Sequence, residues 1–151
     1  MANVFDVAQY ILHKHGPMTA MKLQKIVYYS QAWSLVWDEK PLFNEKIEAW
    51  ANGPVVRELF DLHKGQFVVQ NLTKGNIKEL SKSEKETIAA VLDYYADKTA
   101  QWLCDLTHME EPWKNARKGL TPDDRGDSEI SLASMIEYYS SLDAEIEKET
   151  N

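Results

Sequence analysis

The segment from Met18 to Trp37 contains neither glycine nor proline and is apolar on almost every side. At about 100° per residue, Leu23, Ile26, Val27, Trp33 and Trp37 share one broad face with Ser30 and Ser34, while Met21, Tyr28, Tyr29, Ala32, Leu35 and Val36 fill much of the other. A helix with that pattern must be covered from several directions. It therefore predicts a central helix over residues 19–37, capped at Thr19, with the rest of the chain packed around it. Gln24 and Gln31, seven residues apart with Tyr28 near them, form the helix's polar edge. Buried amides and phenols require partners. The edge is thus either a hydrogen-bonded seam within the fold, which is the simpler reading, or a contact surface for a ligand or partner.

The flanking segments supply the cover. Asn3 caps a first helix to about His15, with Val4, Val7, Ala8, Ile11 and Leu12 inward and Asp6, Gln9 and His13 outward, and Gly16-Pro17 stops it. Ile47 and Ala49 alternate with Glu48 and Trp50 as in a short strand. Asn52-Gly53-Pro54 reads as a turn that doubles as a helix start, with Asn52 or Gly53 at the cap and Pro54 in the first turn. That helix runs to about Lys64 and buries Val55, Val56, Leu59 and Leu62. Phe67 to Val69 and the region near Ile77, either side of Lys74-Gly75-Asn76, suggest a hairpin that joins the earlier strand.

Ser81 and Glu84 match a capping box ahead of Ile88, Val91, Leu92 and Tyr95. The same face continues through Thr99, Trp102, Leu103 and Leu106, with a break expected at residues 97–99. Pro112 opens a short helix that ends by Gly119, residues 120–130 read as an exposed loop, and Ser131 caps a last helix with Leu132, Met135, Ile136, Tyr139 and Ile146 as its stripe. Residues 143–151 read as an acidic, fraying tail. The expected fold is α+β, mainly α: one domain over residues 1–151, with a central buried helix and a small two- or three-stranded sheet at its edge.

A net charge of −7 argues against a primary role on nucleic-acid backbones or anionic membranes, which favour basic surfaces. With one cysteine, Cys104, there is no intramolecular disulfide; it reads as a small buried hydrophobe. No basic-then-apolar leader or membrane-length apolar run is seen, so the expected location is cytoplasmic. His13 and His15 lie on different helical faces, and His108-Met-Glu110 lacks the further ligands of a zinc site, so no metal is expected. The nucleophile-elbow, P-loop and dinucleotide glycine signatures are absent, and no cofactor is expected. Nothing nominates a catalyst, and the expectation is a protein that is not an enzyme. A hydrolase using His108 with Glu110 or Glu111 is the remote alternative.

Recognition chemistry is better represented. Trp and Tyr dominate protein–protein hot spots, and five tryptophans are many for this length. Trp33 and Trp102 fall on apolar helical faces and read as core, while Trp37, Trp50 and Trp113 are open between core and interface. Arg57 projects from the start of its helix, and Lys114, Arg117 and Lys118 read as a solvated cluster.

Residues 21–31 (Met-Lys-Leu-Gln-Lys-Ile-Val-Tyr-Tyr-Ser-Gln), Pro41-Leu-Phe43, Ile47-Glu-Ala-Trp50, Gly53-Pro-Val-Val56 and Thr107-His-Met-Glu-Glu-Pro-Trp113 resemble, in order and spacing, the Panacea domain, also called the SocA-like or phage-associated domain. The final Ile136-Glu-Tyr-Tyr139 helix is also similar. The resemblance implies a bacterial or phage antitoxin that binds a protein toxin encoded by an adjacent gene. The alternative it implies is an adaptor delivering that toxin to a Clp-type protease. The motif positions carried over are Gln24, Tyr28, Gln31, Trp50, Gly53, Pro54, His108 and Trp113. With Asn52 and Arg57 they form the expected partner-binding set. The chain reads as essentially the bare domain, with no direct nucleic-acid or membrane partner.

Overall fold

The computed structural model describes residues 1–150. Its helices are α1 (Val4–His15), α2 (Ala20–Trp37), α3 (Arg57–His63), α4 (Lys82–Tyr95), α5 (Ala100–Met109), α6 (Glu111–Ala116) and α7 (Leu132–Thr150), and a 3-10 turn spans Ile77–Glu79. Two small antiparallel sheets accompany them: β1 (Met18–Thr19) with β4 (Val68–Val69), and β2 (Ile47–Trp50) with β3 (Gly53–Val56). The fold is mainly α with small sheets, as expected. The sheet pairing differs, because residues 67–69 turn back onto the entrance of α2 and do not form a hairpin with the segment near Ile77.

Helix α2 is the hub. Every residue from Leu23 to Leu35 is buried, and α1, α4, α5 and α7 all pack on it. Thr19 Oγ1 accepts from Lys22 N and caps it. The capping boxes of α1 (Asn3 with Asp6) and α4 (Ser81 with Glu84) form with both reciprocal bonds, and Thr99 caps α5 after the break. Asp6 is not outward as expected: it is buried, and its second carboxylate oxygen accepts from Asn76 N at 2.8 Å.

The largest departure is at Gly53-Pro54, which lies in β3 and not in a helix. Residues 51–52 form a tight two-residue turn that sends the chain back along β2, and α3 begins only at Arg57. Pro54 faces Ala49 in the ladder, and Ala49 N bonds outward to Ser128 O at 2.8 Å. The pair is a non-hydrogen-bonded one, so the missing proline N–H costs the ladder nothing.

Two helical faces are narrower than the sequence suggests. The break before α5 resets its phase, so Leu103, Cys104 and Thr107 face inward and Trp102 is 43% exposed. On α7, Met135 and Tyr139 are buried, whereas Leu132, Ile136 and Ile146 stand out in solvent. Of the acidic tail, α7 continues to Thr150, and Asn151 lies outside the described residues.

Candidate functional site

The expected partner-binding residues separate into an interior set and a surface set. Gln24 is interior. Its Oε1 accepts from Val56 N at 2.9 Å, and its Nε2 donates to Val56 O at 3.3 Å and to His63 Nε2 at 3.0 Å. The last bond requires a neutral His63 ring accepting at Nε2, in keeping with burial holding that imidazole below its usual basicity. Gln31 grips a different loop in the same way: Oε1 accepts from Leu42 N at 2.7 Å and Nε2 donates to Phe43 O at 2.9 Å. Gln9 of α1, expected to point outward, makes a third such grip, on both backbone groups of Leu72.

In each case a primary amide stands in for a peptide group and satisfies backbone that would otherwise be buried unpaired. The polar edge of α2 is therefore a seam inside the fold, and Gln24 and Gln31 have no free amide to offer a partner. Replacing either by Ala leaves a buried N–H without an acceptor and is expected to lower stability by about 1–3 kcal/mol, read as a fall in the urea midpoint at unchanged slope. A midpoint that does not move would refute this assignment.

Tyr28 is interior as well. Its hydroxyl lies 3.0 Å from that of Tyr139, which donates to Glu110 Oε1 at 2.8 Å, and Tyr29 donates to the same oxygen at 2.6 Å. Tyr29 stacks on Tyr95 at 4.2 Å between ring centres, and Tyr95 accepts from Trp33 Nε1 at 3.0 Å. The cluster ties α2 to α4, to α7 and to the corner between α5 and α6. Glu110 is 4% exposed and, among the described residues, has no basic side chain within ion-pair distance. Burial pushes its carboxyl up to about 7, against the lowering effect of the two phenol donors.

His108 does not join Glu110. Its ring stacks on Trp113 at 4.0 Å, and its Nε2 is buried without a hydrogen-bond partner, while the Glu110 carboxylate is engaged by tyrosines. The geometry does not join His108 to Glu110, and Glu111, the other carboxylate of the remote hydrolase reading, lies 3.7 Å from Lys114 Nζ. Among the described residues, no cluster of His, Cys, Asp and Glu is arranged to hold a metal ion.

Two buried cations were not foreseen. Lys25 is 1% exposed, and its Nζ donates to Pro54 O at 3.2 Å. Burial lowers its amine to about 8, with the Cys104 thiol acting in the opposite sense. Together Gln24 and Lys25 occupy the outer edge of β3, so that α2 takes the place of a third strand. Arg117, expected in a solvated cluster, is 4% exposed. Its guanidinium donates to the carbonyls of Ala49, Thr121 and Asp124 at 2.9, 3.1 and 2.5 Å, and the segment following α6 folds around it. A cation buried through carbonyl groups has no local signature in sequence.

The surface set is Trp50, Asn52 and Arg57, carried by the tip of the β2–β3 hairpin and the start of α3. With Arg125, Gly126 and Asp127 they line a cleft of about 590 Å³. Trp50 is half-buried; its Nε1 donates to Glu48 Oε1 at 2.8 Å, and Arg57 lies 5.2 Å from its ring centre. Arg57 also pairs with Glu48 at 3.0 Å. Asn52 is exposed. Below them, Trp113 is buried and donates from Nε1 to Trp50 O at 2.8 Å, while Gly53 and Pro54 are buried in the hairpin. Gln24, Lys25, Trp113 and Arg117 thus hold the hairpin whose tip forms the surface.

No helix of the described residues is long and apolar enough to cross a membrane. The sequence matches the family described as antitoxin SocA-like, Panacea domain, over residues 23–114. No curated protein and no solved structure matches the chain. The matched stretch runs from the start of the buried face of α2 through both hairpin strands to the Trp113 corner, and on it the chain belongs to the SocA-like antitoxin family that carries the Panacea domain.

Proposed function

We propose that this protein is the antitoxin of a toxin–antitoxin pair, acting in the cytoplasm, and that it neutralises a cognate protein toxin encoded by an adjacent gene through direct binding. One observation carries the choice of surface: Trp50, a motif residue that is half-buried, lines one cleft with its neighbours Asn52 and Arg57, and Gln24, Gly53, Pro54 and Trp113 hold or form the hairpin that carries it. A rigid platform presenting Trp50 and Arg57 has the residue chemistry of a binding hot spot. The mechanism is occlusion by a preformed surface, with no chemical step.

Expression of the adjacent gene alone should arrest growth, and co-expression with this chain should restore it; a neighbour that is harmless, or still lethal in its presence, would refute the proposal. Asn52→Tyr adds bulk at the mouth of the cleft, at an exposed side chain without hydrogen bonds. It should abolish rescue while the thermal melt stays unchanged. Under occlusion the toxin remains abundant and complexed. Toxin that disappears, and returns in cells lacking a Clp-type protease, would replace occlusion with delivery.

A further inference from the structure

The edges of the two small sheets present backbone N–H and C=O groups that need partners. On the β2–β3 sheet the chain supplies them itself. Ser128 O and Ile130 N pair with Ala49 N and Ile47 O along β2, while Gln24 and Lys25 serve Val56 and Pro54 along β3. On the other sheet the outer side of β1 is closed too, because Pro17 has no N–H to offer and Thr19 turns into the cap of α2. The outer side of β4 differs. The register of Met18 opposite Val69, with the bond from Ala20 N to Phe67 O, turns the ladder groups of Phe67 and Val69 toward β1 and those of Val68 away from it. Val68 N–H, Val68 C=O and Gln70 N–H therefore stand along one edge with no partner among the described residues. The side chains leave that edge bare as well: residues 66–70, Gln-Phe-Val-Val-Gln, hold no charge and no proline, and Phe67 is 81% and Val68 51% exposed. Val69 is sealed in the core and Leu72 is gripped by Gln9, so the strand is fixed in place before anything joins it.

We infer that the β4 edge is a strand acceptor: an extended segment of a second protein, apolar at alternate residues and acidic at its ends, adds there as a third, antiparallel strand. The main-chain bonds to Val68 and Gln70 supply the affinity, and Phe67 and Val68 offer one apolar contact on each face of the added strand. This surface is separate from the Trp50 cleft, reached along the chain past the far end of α3, and it stands whether or not the partner is a toxin. Charge selects the occupant. β1 lies in residues 7–37 and β4 in residues 62–78, and neither stretch contains an acidic residue in a chain that has 24. Lys14, Lys64 and Lys74 flank the two strands, are exposed, and join no ion pair among the described residues. The acids that bound these stretches are engaged elsewhere: Asp6 is buried on Asn3 and Asn76, Asp61 acts on Arg57, and Glu79 sits in the 3-10 turn against α1. A second copy of the chain would bring lysines against lysines at this edge, whereas an acid-ended strand meets complementary charge.

The test uses the full chain and needs no toxin. The probe is the acetylated and amidated heptapeptide Glu-Val-Thr-Val-Thr-Val-Glu, titrated at low salt while the Val68 and Gln70 amides are followed by NMR. Saturable shifts and slowed hydrogen exchange at those two amides are expected, with the Trp50 indole N–H unmoved. Binding should weaken about tenfold when Lys replaces both terminal Glu residues, and vanish when the three central residues are N-methylated, since an added strand then lacks donors for the edge. Val68→Pro removes a donor that faces away from β1, so it should lose the peptide while the thermal melt stays unchanged. If that variant unfolds, the N-methylated peptide on the wild-type chain still decides. No response at Val68 and Gln70, or equal binding of the N-methylated or the Lys-ended peptide, would overturn the inference. Sedimentation of the chain alone should show a monomer; a concentration-dependent dimer that Val68→Pro dissolves would assign the edge to a second copy and overturn it as well.

Discussion

Gly53→Ala is expected to destabilise the domain by about 3 kcal/mol, from backbone strain of about 1–2 kcal/mol and overpacking of about 1–3 kcal/mol. Gly53 has φ +116°, a region that side-chain-bearing residues rarely enter, and a Cβ there would stand 2.5 Å from Lys25 Cε and 3.1 Å from Thr107 Oγ1. Neither neighbour can yield cheaply. Lys25 is sealed in the core with its amine on Pro54 O, and the Thr107 hydroxyl is held on Cys104 O at 2.7 Å. Gly65 provides the control: it also has positive φ, at +91°, but nothing lies within 4 Å of its added Cβ. Gly65→Ala should therefore show only the strain, about 1 kcal/mol. Urea unfolding of the two variants separates conformation from close approach, and equal losses would refute the contact between Gly53 and Lys25.

The second large effect is on pH. Glu110 has an ordinary carboxyl near 4.5 when unfolded and about 7 when folded. Below about 4.5 both states are protonated, and its contribution is fully present. Between 4.5 and 7 the unfolded chain releases the proton while the folded chain holds it, so stability falls as pH rises, by about 3 kcal/mol in all at 1.36 kcal/mol per unit. Lys25 acts oppositely. Its amine titrates near 10.5 unfolded and about 8 folded, so the folded state pays for a buried ammonium below 8 and is relieved of it by 10.5, again about 3 kcal/mol.

Together they place a stability minimum between about pH 7 and 8, to be read from urea midpoints across the range. Glu110→Gln keeps an acceptor for Tyr29 and Tyr139 and should abolish the fall on the acid side, and Lys25→Met should flatten the alkaline rise. A wild-type profile that rises steadily from pH 5 to 7.5 would show that Glu110 is ionised throughout.

The helices were legible because their ends carry explicit chemistry. Asn3 with Asp6, Thr19, Ser81 with Glu84, and Thr99 each satisfy N–H groups of the turn they open, and a cap acts within four residues, where sequence can be read directly. The central helix was legible because no other arrangement hides so much apolar surface. What was not legible depends on distant partners. Gly53-Pro54 has the composition of a helix start, but ladder pairing with β2 and the side chains of Gln24 and Lys25 outweigh it. The pairing of residues 68–69 with residues 18–19 spans fifty positions. Arg117 was assigned by the usual preference of cations for solvent, a preference that carbonyl groups arriving from elsewhere override, and Lys25 carried no signal of its burial. Of the expected site, Trp50, Asn52 and Arg57 reach the surface, and Gln24, Tyr28 and Gln31 are buried and hydrogen-bonded within the fold.

The three glutamine grips act as rivets. Each fastens a neighbouring segment to a helix through that segment's backbone, at Leu72, at Val56 and at Leu42-Phe43. Because the main chain is what is held, the side chains beside each rivet are left unspecified by it, and each segment's phase against its helix is nonetheless set. Sequence can drift in the spans between rivets without moving the frame. A domain fastened in this way can renew its outer face while its skeleton stays in register.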